Sequence, residues 1–128
     1  MEDKSRLLKE LRWVGSSYDD YMEFPQQVHD SVGYSLHRVQ EGKTTRNSKK
    51  LKGAQSGSIE IIADHDGDTF RAVYTIKFAE VVYILHAFKK KSKKGIATPK
   101  TDLDLIRQRL RLAEEDYKSN PPKQETEA

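Results

Sequence analysis

Apolar residues in this chain are few but gathered, and their spacing predicts most of the elements. Leu11, Trp13 and Val14 form a short apolar run ending at Gly15, which reads as a strand over residues 11–15. Ser16-Ser17 offers a helix N-cap, and Ser17 with Asp20 has the spacing of a capping box, so a short helical turn is expected up to Phe24. Pro25 suits a first helical residue. After it, Val28, Val32, Leu36 and Val39 recur at helical spacing, and Gly42 follows as a stop, which predicts an amphipathic helix over 25–41. Residues 43–57 read as a basic connector. Three strands then follow, over 58–64, 69–77 and 80–88, the first two joined by an Asp66-Gly67 turn. In the second, Phe70, Ala72, Tyr74 and Ile76 alternate with Arg71, Val73 and Thr75. The third is apolar almost throughout, as a central strand covered on both faces would be. Thr98-Pro99 then opens a last helix carrying Leu103, Ile106, Leu110 and Ala113 and ending near Tyr117.

The order is therefore β-α-α-β-β-β-α, an α+β class. Strands joined by short turns imply an antiparallel sheet, with helices on one face and the other partly open. The 128-residue length suits one domain, expected over 1–118. Residues 119–128 carry Pro121-Pro122 and no large apolar side chain, and a mobile tail is expected there.

Cysteine is absent, which excludes disulfides, thiolate metal sites and a cysteine nucleophile. No apolar run reaches membrane-spanning length and the N-terminus lacks an apolar signal core, so a cytoplasmic protein without membrane contact is expected. Net charge is only +3, but basic residues crowd 43–52 and 89–100, stretches without an acidic residue. Such polarity suggests a face for a polyanion; two solvated loops are the plainer reading.

Four stretches carry a family likeness: Phe24-Pro25, Leu51-Lys52-Gly53, the run from Phe70 to Tyr74, and the run from Val82 to Ser92 continuing to Thr98-Pro99. Together, in this order, they resemble the HigB-like, phage-derived branch of the RelE/ParE toxin superfamily, from about Arg12 to Tyr117. The resemblance implies a small twisted antiparallel sheet flanked by helices, a RelE-like fold. It implies the toxin of a type II toxin–antitoxin system, usually an endoribonuclease cleaving mRNA on the ribosome, held by a cognate antitoxin of which the helix-turn-helix type is one expectation. One departure stands out. Many relatives carry an arginine two residues after the glutamate of the first hairpin strand, whereas Glu60 here is followed by Ile61-Ile62. ParE-like members inhibit DNA gyrase without catalysis, and a domain that only binds RNA or its partner is a third reading, because fold alone does not choose between them.

RNA cleavage by its own 2′-hydroxyl needs a base, an acid and cations for the phosphorane, and no metal or other cofactor. Arg71 is the first candidate, a guanidinium fork interrupting an apolar strand; pairing with Glu60 on the neighbouring strand is the alternative. Lys90 could act in catalysis. Lys89 and Lys91 would point to the opposite face from Lys90, and these two with Lys49, Lys50, Lys52, Lys93 and Lys94 could bind phosphates. His86 could move a proton, Glu60 could act as a base, and Phe88 could stack on a base. A core histidine, a salt-bridge partner and a core phenylalanine are the commoner roles. His29 and His37 do not make a metal site, and the acidic turn around His65 lacks the ligand spacing of a calcium loop.

Overall fold

In the computed structural model, residues 8–53, 57–90 and 98–122 are described. The elements are β1 (Glu10–Trp13), α1 (Ser17–Met22), α2 (Gln26–Gln40), β2 (Ser48–Lys50), β3 (Ser58–His65), β4 (Asp68–Thr75), β5 (Val81–Lys90) and α3 (Lys100–Ser119). The predicted order holds, with one addition: the basic connector contributes β2, a three-residue edge strand. A three-residue strand has no readable periodicity of its own; it forms because Lys49 and Lys50 find partners in Glu60 and Ile59.

The five strands form one sheet in the order β1-β5-β4-β3-β2. The hairpins are antiparallel as expected, but β1 runs parallel to β5, so the sheet is mixed. The antiparallel inference rested on short turns, and no turn joins β1 to β5. Both faces are covered, which corrects the expectation of an open one. The first core packs Tyr21 of α1, Phe24 of the connection, and Val28, Val32 and Leu36 of α2 against Ile61, Phe70, Ala72, Tyr74, Val82 and Ile84. The second packs Ile106, Leu110 and Ala113 of α3 against Val73, Val81, Tyr83 and Leu85. The near-continuous apolar run of β5 is thus explained by burial on both faces.

The predicted serine cap is absent. Ser17 Oγ instead donates to the Ile84 carbonyl at 3.1 Å, and Ser16 Oγ donates to the Asp20 carboxylate at 2.8 Å. A tertiary partner claimed the Ser17 hydroxyl, and a local contact with the Asp20 side chain took that of Ser16. At the other end, Asn120, placed in the expected tail, accepts a bond from Arg12 Nη1 at 2.7 Å through its carbonyl; residues 123–128 lie outside the described ones. Arg12 also meets Asp116 at 2.7 Å, and Tyr83 donates its hydroxyl to the same carboxylate at 2.7 Å.

That network carries a pH prediction. The Tyr83 hydroxyl and then the Arg12 guanidinium hold the Asp116 carboxyl below its ordinary pKa, against an opposing push from burial. A carboxylate with a lowered folded-state pKa adds stability above its ordinary value near 4, and this is lost as pH falls through the folded value. Asp116→Asn should therefore flatten the acid limb of a stability–pH curve below about pH 5, a region readable by urea melts at stepped pH. An unchanged acid limb would show that the contact contributes nothing.

Candidate active site on the α3 face of the sheet

Strand alternation places Glu60, Arg71, Val73, His86, Phe88 and Lys90 on the face covered by α3. Glu60, Val73 and His86 sit side by side across β3, β4 and β5, with Lys49 of β2 opposite Glu60. Arg71 and Phe88 are cross-strand partners in the next row outward, and Lys90 opposes Thr69 beyond them.

A β-bulge makes this arrangement possible. Tyr74 pairs with Ile84 and Val73 with His86, so Leu85 is an extra residue in β5. Leu85 packs in the α3-side core, and His86 follows it onto the same face rather than turning toward α2. Everything beyond inherits the shift. Ala87 packs with the α2-side core, Phe88 with the α3-side core, and Lys90 is aligned with Arg71. Lys89 goes to the opposite face, where it pairs with Asp68 at 3.3 Å.

The bulge carbonyl is held by a residue that sequence reading missed. Arg109 of α3 donates to the Leu85 carbonyl and to Ser16 Oγ, both at 3.0 Å. The side chain is buried, and burial lowers its pKa. Its only sequence signal was a cation flanking the apolar stripe of a helix, which is usually solvated.

The polar groups are mostly enclosed. Arg71 Nη1 donates to Glu60 Oε1 at 2.7 Å, and the carboxylate is 2% exposed against 12% for the guanidinium. Glu60 Oε2 and Arg71 Nε are buried without a hydrogen-bond partner. The alternative pairing read from sequence is therefore present, and Glu60 is a buried counter-ion of Arg71. His86 Nε2 lies 2.8 Å from Asp102 Oδ1 on the first turn of α3, and the imidazole stacks on Phe88 at 4.6 Å between centroids. His86 Nδ1 has no partner. Lys90 is 5% exposed. Burial above all, then the neighbouring charge of Arg71, pushes its pKa below that of an ordinary lysine, while Glu60 and Asp102 oppose this.

The other candidates scatter. Lys50 pairs with Ile59, whose side chain packs in the α2-side core, and is therefore on the far face from Glu60. Lys52 is exposed in the turn between β2 and β3, where the Gly53 carbonyl accepts a bond from Arg107 at 2.6 Å. Lys91, Lys93 and Lys94 lie outside the described residues. Among the described residues no group of three or more His, Asp or Glu side chains is arranged to hold a metal ion, and no helix is long and apolar enough to cross a membrane.

A family profile described as "Phage derived protein Gp49-like (DUF891)" matches residues 19–111. No curated protein matches the chain. Among solved structures, the chain is similar to the Escherichia coli toxin RelE, solved free as a mutant with two arginines replaced by alanine. The two are 14% identical, the match covers 82% of this chain and 97% of that one, and the TM-score is 0.53. It is also similar to a chain of the toxin–antitoxin complex RelBE2 from Mycobacterium tuberculosis, at 16% identity, covering 70% of this chain and all of that one, with a TM-score of 0.46. At such identities the likeness to RelE is one of fold, and the RelE-like α+β architecture expected from the sequence is the one found.

Proposed function

Because the chain belongs to the phage-derived Gp49-like family, we propose that it is the toxin of a type II toxin–antitoxin pair, acting in the cytoplasm as a metal-independent endoribonuclease on ribosome-bound mRNA. The observation that carries this reading is the gathering of Arg71, Lys90, His86 and Lys49 on one face of the sheet, with Glu60 beneath. These groups supply cationic charge and a proton-transfer imidazole, which are the needs of phosphodiester transesterification. The fold shared with a protein named as a toxin agrees with it.

In the proposed reaction, the ribose 2′-oxygen attacks the adjacent phosphorus and the bond to the 5′-oxygen breaks. The 2′-hydroxyl proton passes to a base, and a proton from an acid goes to the leaving oxygen. The products are a 2′,3′-cyclic phosphate and a 5′-hydroxyl, and no water is consumed. Lys49 is the exposed group of this set and draws the phosphate in, and Arg71, 12% exposed, grips it through its guanidinium fork. Lys90, whose pKa is lowered, neutralises the phosphorane and gives its proton to the leaving oxygen more readily than an ordinary lysine. His86 takes the 2′-hydroxyl proton. Glu60 orients Arg71 and takes no proton itself. A positioned ribosomal substrate supplies much of the alignment. The cognate antitoxin, proposed as a helix-turn-helix protein, would act by covering the exposed β2 edge of this face at Lys49.

Brief induced expression in a bacterium, followed by mapping of RNA 5′ ends, tests the reading. New ends inside translated frames are expected, lost in Lys90→Gln and retained in Lys89→Gln, whose lysine lies on the opposite face. A loss in Lys89→Gln equal to that in Lys90→Gln would show that general positive charge, not this face, is what matters. Growth arrest with intact RNA would overturn cleavage and favour a gyrase-type inhibitor. Soluble expression with neither effect would overturn the toxin reading.

A further inference from the structure

The sheet ends in two edge strands, and they differ. The β2 edge carries the exposed Lys49 and Lys50, a usual guard against stray strand pairing. The β1 edge carries Leu11 and Trp13 instead. Glu10 and Val14 donate their backbone N–H groups to the Glu80 and Ile84 carbonyls, both at 2.9 Å, so alternation turns the N–H and C=O groups of Leu11 and Trp13 off the sheet. The C-terminal end of α2 closes the start of this edge: Lys9 donates to the Gln40 carbonyl at 2.9 Å and accepts from Gln40 Nε2 at 2.8 Å. Further along, no described residue bonds the Leu11 or Trp13 backbone on that side. Apolar groups flank the open stretch on both faces. On the α1 side Tyr18, 47% exposed, meets Trp13 edge-on at 5.1 Å between centroids, and Met22, 48% exposed, lies one turn further along α1. On the α3 side a cavity of about 490 Å³ is lined by Trp13, Val14, Gly15, Tyr83, Asp116 and the half-exposed Leu112.

We infer that the β1 edge is a docking site for an extended segment of a protein partner, a short apolar run with lysine or arginine at its ends, which adds a strand to the sheet. Main-chain bonds to Leu11 and Trp13 supply affinity. Alternate apolar side chains seat on Trp13 and Tyr18 at one face and against Leu112 in the cavity at the other. Charge selects the occupant. At this edge the carboxylates of Glu10, Asp19, Asp20, Glu23, Glu115 and Asp116 outnumber the cations Lys9, Arg12, Arg109 and Arg111, on a chain whose net charge is +3. Arg12 is already held by Glu10 and Asp116, and Arg109 is buried. Asp19, Glu23 and Glu115 are exposed and pair with no described cation. Such a rim attracts a basic segment and repels both RNA and the same edge of a second copy. The site is separate from the cationic groups of the proposed cleavage, which lie on β2, β4 and β5, so either can fail alone.

The probe is a heptapeptide capped at both ends, Lys-Lys-Val-Ile-Val-Lys-Lys, titrated into the full chain. Binding is read by the fluorescence of Trp13, the one tryptophan of the chain, and by ¹⁵N amide shifts. Saturable binding with shifts centred on Leu11 and Trp13 is expected. Leu112→Ser and Tyr18→Ser should each weaken it on the order of tenfold, the effect of leaving one large apolar contact unmade. Tyr34→Ser, an exposed position on α2, should change Kd by less than about twofold. Melting curves establish that each variant is folded. N-methylation of one alternate set of peptide amides should abolish binding and of the other set spare it, because only one set faces β1. Replacing the peptide's lysines with glutamates should weaken binding by about tenfold or more. No response to the lysine peptide at millimolar concentration, equal binding of the glutamate peptide, or equal loss from both methylated sets overturns the inference. Self-association of the free protein that disappears in Leu112→Ser would make a second copy the occupant, and a short RNA that shifts the same amides would make it nucleic acid; either result also overturns it.

Discussion

Replacing Arg71 with alanine is expected to destabilise the fold by about 3–5 kcal/mol as well as to abolish cleavage, because it strands a buried charge. Glu60 is 1% exposed, its Oε1 is bound by Arg71 at 2.7 Å, and its Oε2 has no hydrogen-bond partner. Without the guanidinium, the carboxylate loses its hydrogen-bonded partner inside a sheet face covered by a helix and keeps only the longer-range charge of Lys90. A domain of this size holds only about 5–15 kcal/mol in total, so the loss is a large share of it. Loss of toxicity in Arg71→Ala would therefore be ambiguous. The discriminating set is Arg71→Ala, Arg71→Lys and the double substitution Glu60→Gln with Arg71→Ala. The lysine keeps a charge near Glu60 but loses the fork. It should retain most of the stability while cutting kcat on the order of 10²-fold or more, in line with other electrostatic stabilisers of a developing oxyanion. The double substitution should recover much of the stability of Arg71→Ala and none of its activity. Urea melts and single-turnover cleavage read the two effects separately. Full activity in a folded Arg71→Lys protein would show that the fork geometry is not used.

Gly15→Ala should cost about 2–4 kcal/mol, well above the usual effect of adding one methyl group. Gly15 has φ +59°, and a Cβ there would come within 2.7 Å of Arg109 Nε and 2.9 Å of Cζ. The left-handed backbone accounts for about 1–2 kcal/mol. The remainder comes from displacing a guanidinium whose bonds to the Leu85 carbonyl and Ser16 Oγ, each 3.0 Å, hold the bulge of β5 and the start of α1. A charged donor of this kind is worth about 1.5–3 kcal/mol per bond. Gly42→Ala is the control: φ is +85° there, but no atom lies within 4 Å of the added Cβ, so only backbone strain is expected. Denaturant midpoints at constant m-value give both numbers. Equal costs at the two glycines would show that Arg109 yields freely. If the bulge aims His86 as described, Gly15→Ala should also lower kcat in the protein that remains folded, and Gly42→Ala should not.

All the elements but β2 were legible in the sequence because local rules govern them. Val28, Val32, Leu36 and Val39 recur at the period that buries one side of a helix, and all four are buried. Phe70, Ala72 and Tyr74 alternate with Arg71 and Val73: the first three pack in the α2-side core, Val73 packs in the α3-side core, and Arg71 shares the face of Val73, as alternation requires. The family likeness from Phe24-Pro25 to the last helix named the architecture. What remained closed to sequence was every question of which distant groups meet. The parallel docking of β1 on β5 involves no turn that a local pattern could announce. Asp102 and Arg109 look like ordinary polar residues of a surface helix until α3 is laid on the sheet. The largest undecided point was one residue wide. Alternation separates Lys89 from Lys90, yet which of them joins Arg71 depends on the bulge at Leu85. A bulge reverses the facing of every later residue in its strand, and its cause is tertiary: a carbonyl offered to Arg109 and an extra side chain accepted by the α3-side core. Local patterning sufficed for the three helices, for four of the five strands and for the residue types available for chemistry. Their convergence on one face was decided only by the packing of α3 against β5, because periodicity fixes neighbours along the chain and not the register between strands and helices far apart in it.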